Sequence, residues 1–238
     1  MDIEQIIILS FYVLTLIFSI ILHEISHGIM AMWLGDHTAR LAGRLTLDPT
    51  KHIDPIGSII LPIIMVYTTG FAFGWAKPVP YNPYALRGGK WGEVLVAFAG
   101  PFTNFFIALV AAVIGLFMPL AEESKFTIMR ELMSRDWEGL SEILAGSPAS
   151  IIFCIVGMLI FWNVILGVFN LIPIPPLDGS KLLFAFVDVS LQTRVFLERW
   201  GILIILFVLG IPFFSIIFSK VLGIFWNLFF RIAIISIF

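Results

Sequence analysis

His23, Glu24 and His27 interrupt a stretch that is otherwise hydrocarbon. The run Gln5–Leu22 ahead of them holds no charged residue. Two imidazoles and a carboxylate at that depth cost free energy to bury in lipid, and ionisable groups inside a membrane segment read as functional. Their spacing says what they could do. Positions i and i+4 of a helix share one face, so His23 and His27 can grip a single metal ion. Glu24, beside the first ligand, is then placed to act as base toward a water at that metal. The pattern points to a metal hydrolase site sunk in a bilayer.

Two histidines do not complete such a site, because a hydrolytic zinc usually takes three protein ligands. His37, His52, Glu93 and Asp178 are the candidates for the third. His37 and His52 fall in a polar stretch and read as surface residues. Asp178 closes the charge-free window Ile143–Leu177, just after Pro173, Pro175 and Pro176 and just before Gly179. The prolines break a helix there, Gly179 permits a tight turn, and a broken helix can aim a carboxylate inward at membrane depth. Asn170, eight residues earlier, carries an amide that could steady a scissile carbonyl or its oxyanion. Asn104 is a second amide in an apolar run, close to Gly100 and Pro101, and reads either as a substrate contact or as a helix-packing group. Lys77 is a further candidate substrate contact, and equally a topology anchor.

These residues need membrane helices to hold them. The 238 residues are 60% hydrophobic and only 13% charged, with 24 Phe and 7 Trp. Soluble domains carry about 25% charged residues, so the composition is that of an integral membrane protein. The net charge of −2 makes no case for nucleic acid. A single cysteine, Cys154, excludes a disulfide framework and a cysteine metal site. The N-terminal segment lacks the basic start of a signal peptide and reads as an uncleaved first span.

Charge-free windows long enough to be spans, or parts of spans, lie at Gln5–Leu22, Pro55–Ala76, Val94–Ala121, Ile143–Leu177, Trp200–Ser219 and Val221–Phe230. Residues 36–49 alternate in part between polar and apolar, which predicts short strands at the membrane surface. Residues 73–83 contain Pro78, Pro80 and Pro83 and predict an extended segment. Arg40, Arg44, Lys51, Lys77, Arg87 and Lys90 place their two loops on the cytoplasmic side by the positive-inside tendency. The first span then runs inward, and so does Ile143–Leu177. His23, His27 and Asp178 therefore come to similar depths near the cytoplasmic face. The same sidedness makes Pro55–Ala76 start and end on one side, so it predicts a re-entrant segment.

Three motifs in order, His-Glu-Ile-Ser-His-Gly from residue 23, Ala-Gly-Pro-x-x-Asn from 99 and Asn-x-x-Pro-x-Pro-Pro-Leu-Asp-Gly at 170–179, resemble the site-2 protease family. These are intramembrane zinc metalloproteases, and the chain is most similar to the compact bacterial branch without a PDZ domain. The resemblance covers about residues 23–180 and extends to Gly43–Leu47, Lys51–Gly57 and Phe73–Pro80. It implies one zinc held by His23, His27 and Asp178, with Glu24 as general base. It also implies cleavage of membrane-protein or signal-peptide substrates near the cytoplasmic side of the cell membrane.

The expectation is therefore an all-α polytopic membrane protein, with about five to six transmembrane helices, a re-entrant segment and short membrane-associated strands. It is expected to form one domain over 1–238, with a catalytic core of about 5–185 and C-terminal helices at 196–238. A metal or ion transporter, or a non-catalytic zinc scaffold, are the competing functions. A transporter would be expected to carry polar groups on several spans and repeated halves, whereas here the charged groups gather at one end.

Overall fold

The computed structural model describes residues 2–61, 64, 65, 67 and 74–235. Its longest element, α1 (Ile3–Trp33), starts where the Asp2 N–H donates to Gln5 Oε1 at 3.2 Å. It ends where Gly35 takes φ +105°, a region only glycine enters cheaply. There the N–H groups of Gly35 and Asp36 turn back onto the carbonyls of Met32 and Ala31, which closes the last turn. The reversal sends the chain back beneath the helix end.

A one-turn helix, α2 (Thr38–Leu41), follows. Then come a 3-10 turn at Pro49–Lys51 and a π-helical stretch at Pro55–Ile60. The later helices are α3 (Lys90–Leu116), α4 (Glu122–Ser134), α5 (Trp137–Leu144), α6 (Pro148–Asn170), α7 (Gly179–Phe186), α8 (Leu191–Leu209) and α9 (Pro212–Ile234). Four of these, α1, α3, α6 and α9, are long and apolar enough to cross a membrane. The centre is α3, which packs on α1, α6 and α9. Its buried side is rich in small residues, among them Ala97, Gly100, Ala108, Ala111, Ala112 and Gly115. Small residues let neighbouring backbones approach where lipid supplies no hydrophobic push.

Two differences from the sequence expectation have plain causes. The windows Trp200–Ser219 and Val221–Phe230 give one helix long and apolar enough to cross a membrane, rather than two. Pro212 starts a new helix after a turn at Gly210 and Ile211. Most of the apolar residues therefore fall into one span, α9, while α8 retains Arg194, Glu198 and Arg199. Strands are absent among the described residues: Thr38–Leu41 is helical, and 74–80 is extended without a strand partner. Alternation of polar and apolar residues lost there to a local side-chain turn. Asp36 accepts from the N–H and hydroxyl of Thr38, which starts a helical turn.

Most of the predicted re-entrant tip, with Phe73, lies outside the described residues. Its two ends are described, and they meet. The Trp75 N–H donates to Gly57 O at 3.1 Å, and the Ser58 hydroxyl donates to Trp75 O at 2.8 Å.

The buried interior is layered. An apolar cluster that includes Ile8, Tyr12, Ala111, Phe153 and Ile160 fills one end of the bundle. A smaller cluster, Ala31, Leu86 and Val96, fills the other. Between them lie the buried polar groups Ser19, His23, Asn104 and Asn163. That middle layer holds the site.

Candidate active site

His23 and His27 leave α1 one turn apart. Each ring is aimed by its Nδ1. His27 Nδ1 lies 2.7 Å from Val96 O, and a carbonyl only accepts, so Nδ1 carries the proton. His23 Nδ1 lies 2.6 Å from Asn104 Oδ1 and is a donor by the same reasoning. In the neutral rings both Nε2 atoms are then bare lone pairs, and they face each other at 3.1 Å.

Asp178 completes the group. It sits at the start of α7, after a run in which Leu177 N–H donates to Ile174 O and Ser180 N–H to Leu177 O. Gly179 matters here for space rather than for a special φ: a Cβ would lie 2.3 Å from Leu171 O. The packed turn presents Asp178 Oδ2 at 3.2 Å from His23 Nε2 and 3.4 Å from His27 Nε2. Oδ2 is buried and has no hydrogen-bond partner.

With both rings neutral, three acceptor atoms thus converge, and a cation at their centre relieves the repulsion between them. A tetrahedral ion with bonds of ~2.0–2.1 Å separates its ligand atoms by ~3.3 Å, close to the three distances here. His23, His27 and Asp178 are also a metal-capable group by donor type, with their ligand atoms within 4.8 Å of one another. The donor set, two imidazoles and a carboxylate, is a known catalytic zinc type with room for water. The side chains are 6%, 12% and 20% exposed, so access comes from the Asp178 side.

Gly100 of α3 forms the floor. A Cβ there would lie 2.5 Å from His23 Cε1 and from His27 Cε1 and Nε2. Gly100→Ala is therefore expected to push both rings off their positions and to weaken zinc binding by on the order of 100-fold, the upper end of supporting-shell losses. Chelator competition on the purified protein checks it.

Glu24 is half-buried, and its Oε2 accepts from the Val79 N–H at 3.0 Å. The extended segment 74–80 is thereby tied to α1. It is tied again where the Lys77 N–H donates to His52 O and Arg44 Nη2 donates to Lys77 O. Its residues 75, 77 and 79 spend backbone groups on the protein.

The other sequence candidates fall elsewhere. The side chain of Lys77 is exposed. Asn104 is fully buried, with its amide committed to His23 and Asn163, so it does not face a substrate. Asn170 closes α6 and donates to Leu166 O at 3.0 Å. His37 is exposed as expected, but His52 is buried, with Nε2 at 2.9 Å from Thr46 O. Glu93 is half-buried at the start of α3, outside the metal-capable group. Sequence reasoning missed Val96, Gly100 and Asn163. For Asn163 a signal existed: it precedes Asn170 by seven residues, which is the same helix face.

The chain matches the model of Peptidase family M50 over residues 11–211. It is 31% identical over 206 residues to "Putative zinc metalloprotease YwhC" of Bacillus subtilis (strain 168), covering 86% of this chain and 82% of that protein. Two mycobacterial proteins named Rip2, with the same description, are each 29% identical. The Mycolicibacterium smegmatis protein aligns over 82% of this chain and 64% of its own length. The Mycobacterium tuberculosis protein aligns over 69% of this chain and 52% of its own length. No solved structure matches this chain.

Proposed function

Because this chain belongs to peptidase family M50 and is an intramembrane zinc metalloprotease, we propose that it hydrolyses peptide bonds of transmembrane or signal-peptide substrates, near the cytoplasmic side of the cell membrane, with one zinc held by His23, His27 and Asp178. The observation that carries this reading is the convergence of their three lone-pair atoms at 3.1–3.4 Å beside Glu24. Zinc, when bound, supplies Lewis-acid polarisation of the attacking water and the scissile carbonyl. Glu24, held through Oε2 by the Val79 N–H, takes the water's proton and later delivers it to the leaving amine. The Nδ1 donors of His23 and His27 keep both rings oriented throughout.

A helical substrate shelters its carbonyls, so it must be drawn out before it is cut. The 74–80 segment suits that task. In an extended chain successive residues point their backbone groups to opposite sides. With 75, 77 and 79 bonded inward, the Ala76 and Pro78 backbone is the side on which a substrate strand adds. Asn170 spends one amide hydrogen on Leu166 O, and the second is its donor to the substrate or the oxyanion. The sidedness rests on the six Lys and Arg residues of the two loops that flank 55–76.

The test is reconstitution in liposomes with a model transmembrane substrate. Chelation is expected to stop cleavage, and re-added zinc to restore it, with no metal flux across the vesicle. Cleavage that survives full removal of metal overturns the reading. Flux without cleavage favours a transporter.

A further inference from the structure

The imidazole of His23 is the end of a buried chain of hydrogen bonds with one direction. Ser19 Oγ donates to Thr15 O at 2.7 Å, so its hydrogen is committed and its lone pairs remain to accept. Asn163 Nδ2, from α6, donates to that Ser19 Oγ at 2.8 Å and to Leu159 O at 2.8 Å. This forces Oδ1 of Asn163 to the opposite side, where it accepts from Asn104 Nδ2 at 2.8 Å. Asn104 Oδ1 is then turned to His23 Nδ1 at 2.6 Å. Ser19, Asn104 and Asn163 are each 0% exposed.

Either amide, taken alone, could flip its oxygen and nitrogen at little cost. Linked in series and anchored on backbone carbonyls, neither can. A flip of Asn163 would set NH2 against NH2 at Asn104 and leave two acceptors facing an oxygen. A flip of Asn104 would present NH2 to His23 and select the tautomer with its proton on Nε2, which leaves no lone pair toward His27 and Asp178.

We propose that Asn163 is a positioning residue for the metal centre. It acts through Asn104 to hold His23 in the tautomer whose Nε2 is free. It touches neither metal nor substrate. The role rests on the reading of His23 as a zinc ligand. Three spans, α1, α3 and α6, are thereby coupled to one imidazole, so metal affinity reports on how these helices are packed.

The experiment measures the zinc dissociation constant of the full-length purified protein by chelator competition, together with the absorption of the cobalt-substituted form. The variants are Asn163→Leu, Asn163→Ala, Asn163→Asp, Asn104→Leu and the double variant Asn104→Leu/Asn163→Leu. Loss of an outer partner to a metal-bound histidine typically weakens binding ~10–100-fold. Asn104→Leu is expected in that range, and Asn163→Leu or Asn163→Ala at about tenfold, with altered cobalt bands. Asn163→Asp keeps an acceptor toward Asn104 Nδ2 but sets an oxygen against Ser19 Oγ and Leu159 O, and it is expected to lose affinity as the other Asn163 variants do.

The double variant decides the matter. It is expected to bind no more weakly than Asn104→Leu, because Asn163 has nothing left to act through. Wild-type affinity in both Asn163→Leu and Asn163→Ala overturns the proposal, and so do losses that multiply in the double variant. If Asn163→Leu does not fold, Asn163→Ala, in which alanine favours the helix, serves in its place. Failure of the wild type itself to bind zinc would instead sink the zinc-site reading above.

Discussion

Glu24→Gln is expected to lower peptide-bond cleavage by about 10²- to 10⁴-fold, the usual contribution of a positioned acid–base group, while zinc content stays at the wild-type level. A glutamine side chain has the shape of glutamate, and its carbonyl oxygen can still accept from the Val79 N–H, which the native carboxylate does at 3.0 Å. The link between α1 and the extended segment therefore survives. The metal-capable group is His23, His27 and Asp178, without Glu24, so the metal is expected to survive too. Only the capacity to take and return a proton is removed. Metal analysis of the purified variant and a cleavage assay in liposomes check both halves. A variant that cuts within tenfold of wild type would show that another group moves the proton.

The second large effect is on the metal itself. Asp178→Ala is expected to abolish cleavage and reduce bound zinc to near the level of a chelated sample. Zinc held by protein donors is worth ~10–16 kcal/mol in small structural sites. Removal of one of three donors on that scale costs on the order of 1,000-fold in affinity. Neither remaining histidine can step in: His52 is buried with its ring on Thr46 O, His37 is exposed, and neither belongs to the converging set. Zinc retained at wild-type affinity would remove Asp178 from the site and reopen the choice of third ligand. The two variants separate two roles. Glu24→Gln leaves a loaded but inactive enzyme, and Asp178→Ala leaves an unloaded one.

The parts of the site are divided between helices and an extended segment. The donors of one small triangle come from α1 and the start of α7, and the floor from α3. Glu24 is held by an extended segment that has no strand partner among the described residues. Helices of a membrane bundle are rigid and pack through small residues, so they suit ligands that must not move. An extended segment with backbone groups still to spend suits a substrate that must be caught and aligned.

The amino-acid sequence by itself determined the chemistry. His23 and His27 at i and i+4, with Glu24 beside them in an apolar run, name a metal and a base because helical periodicity is local and needs no neighbour. Composition was enough for the membrane class, because a chain with 13% charged residues has few other places to be. Asp178 was legible in part: prolines and Gly179 marked a break, although Gly179 turned out to provide room against Leu171 O rather than a left-handed turn.

The tertiary structure alone decided the rest. Among the described residues, four helices are both long and apolar enough to span, because Pro212 splits the C-terminal apolar stretch and leaves its first part in α8 with Arg194, Glu198 and Arg199. The region of Thr38–Leu41 became a helical turn, entered through the local turn in which Asp36 accepts from the Thr38 N–H. Asn104 moved from candidate substrate contact to partner of His23, and Asn163 entered the site, because both depend on which faces of α3 and α6 meet α1. Pairings across helices are set by packing between residues 59 to 144 positions apart, and no local pattern in a chain encodes which amide will face which.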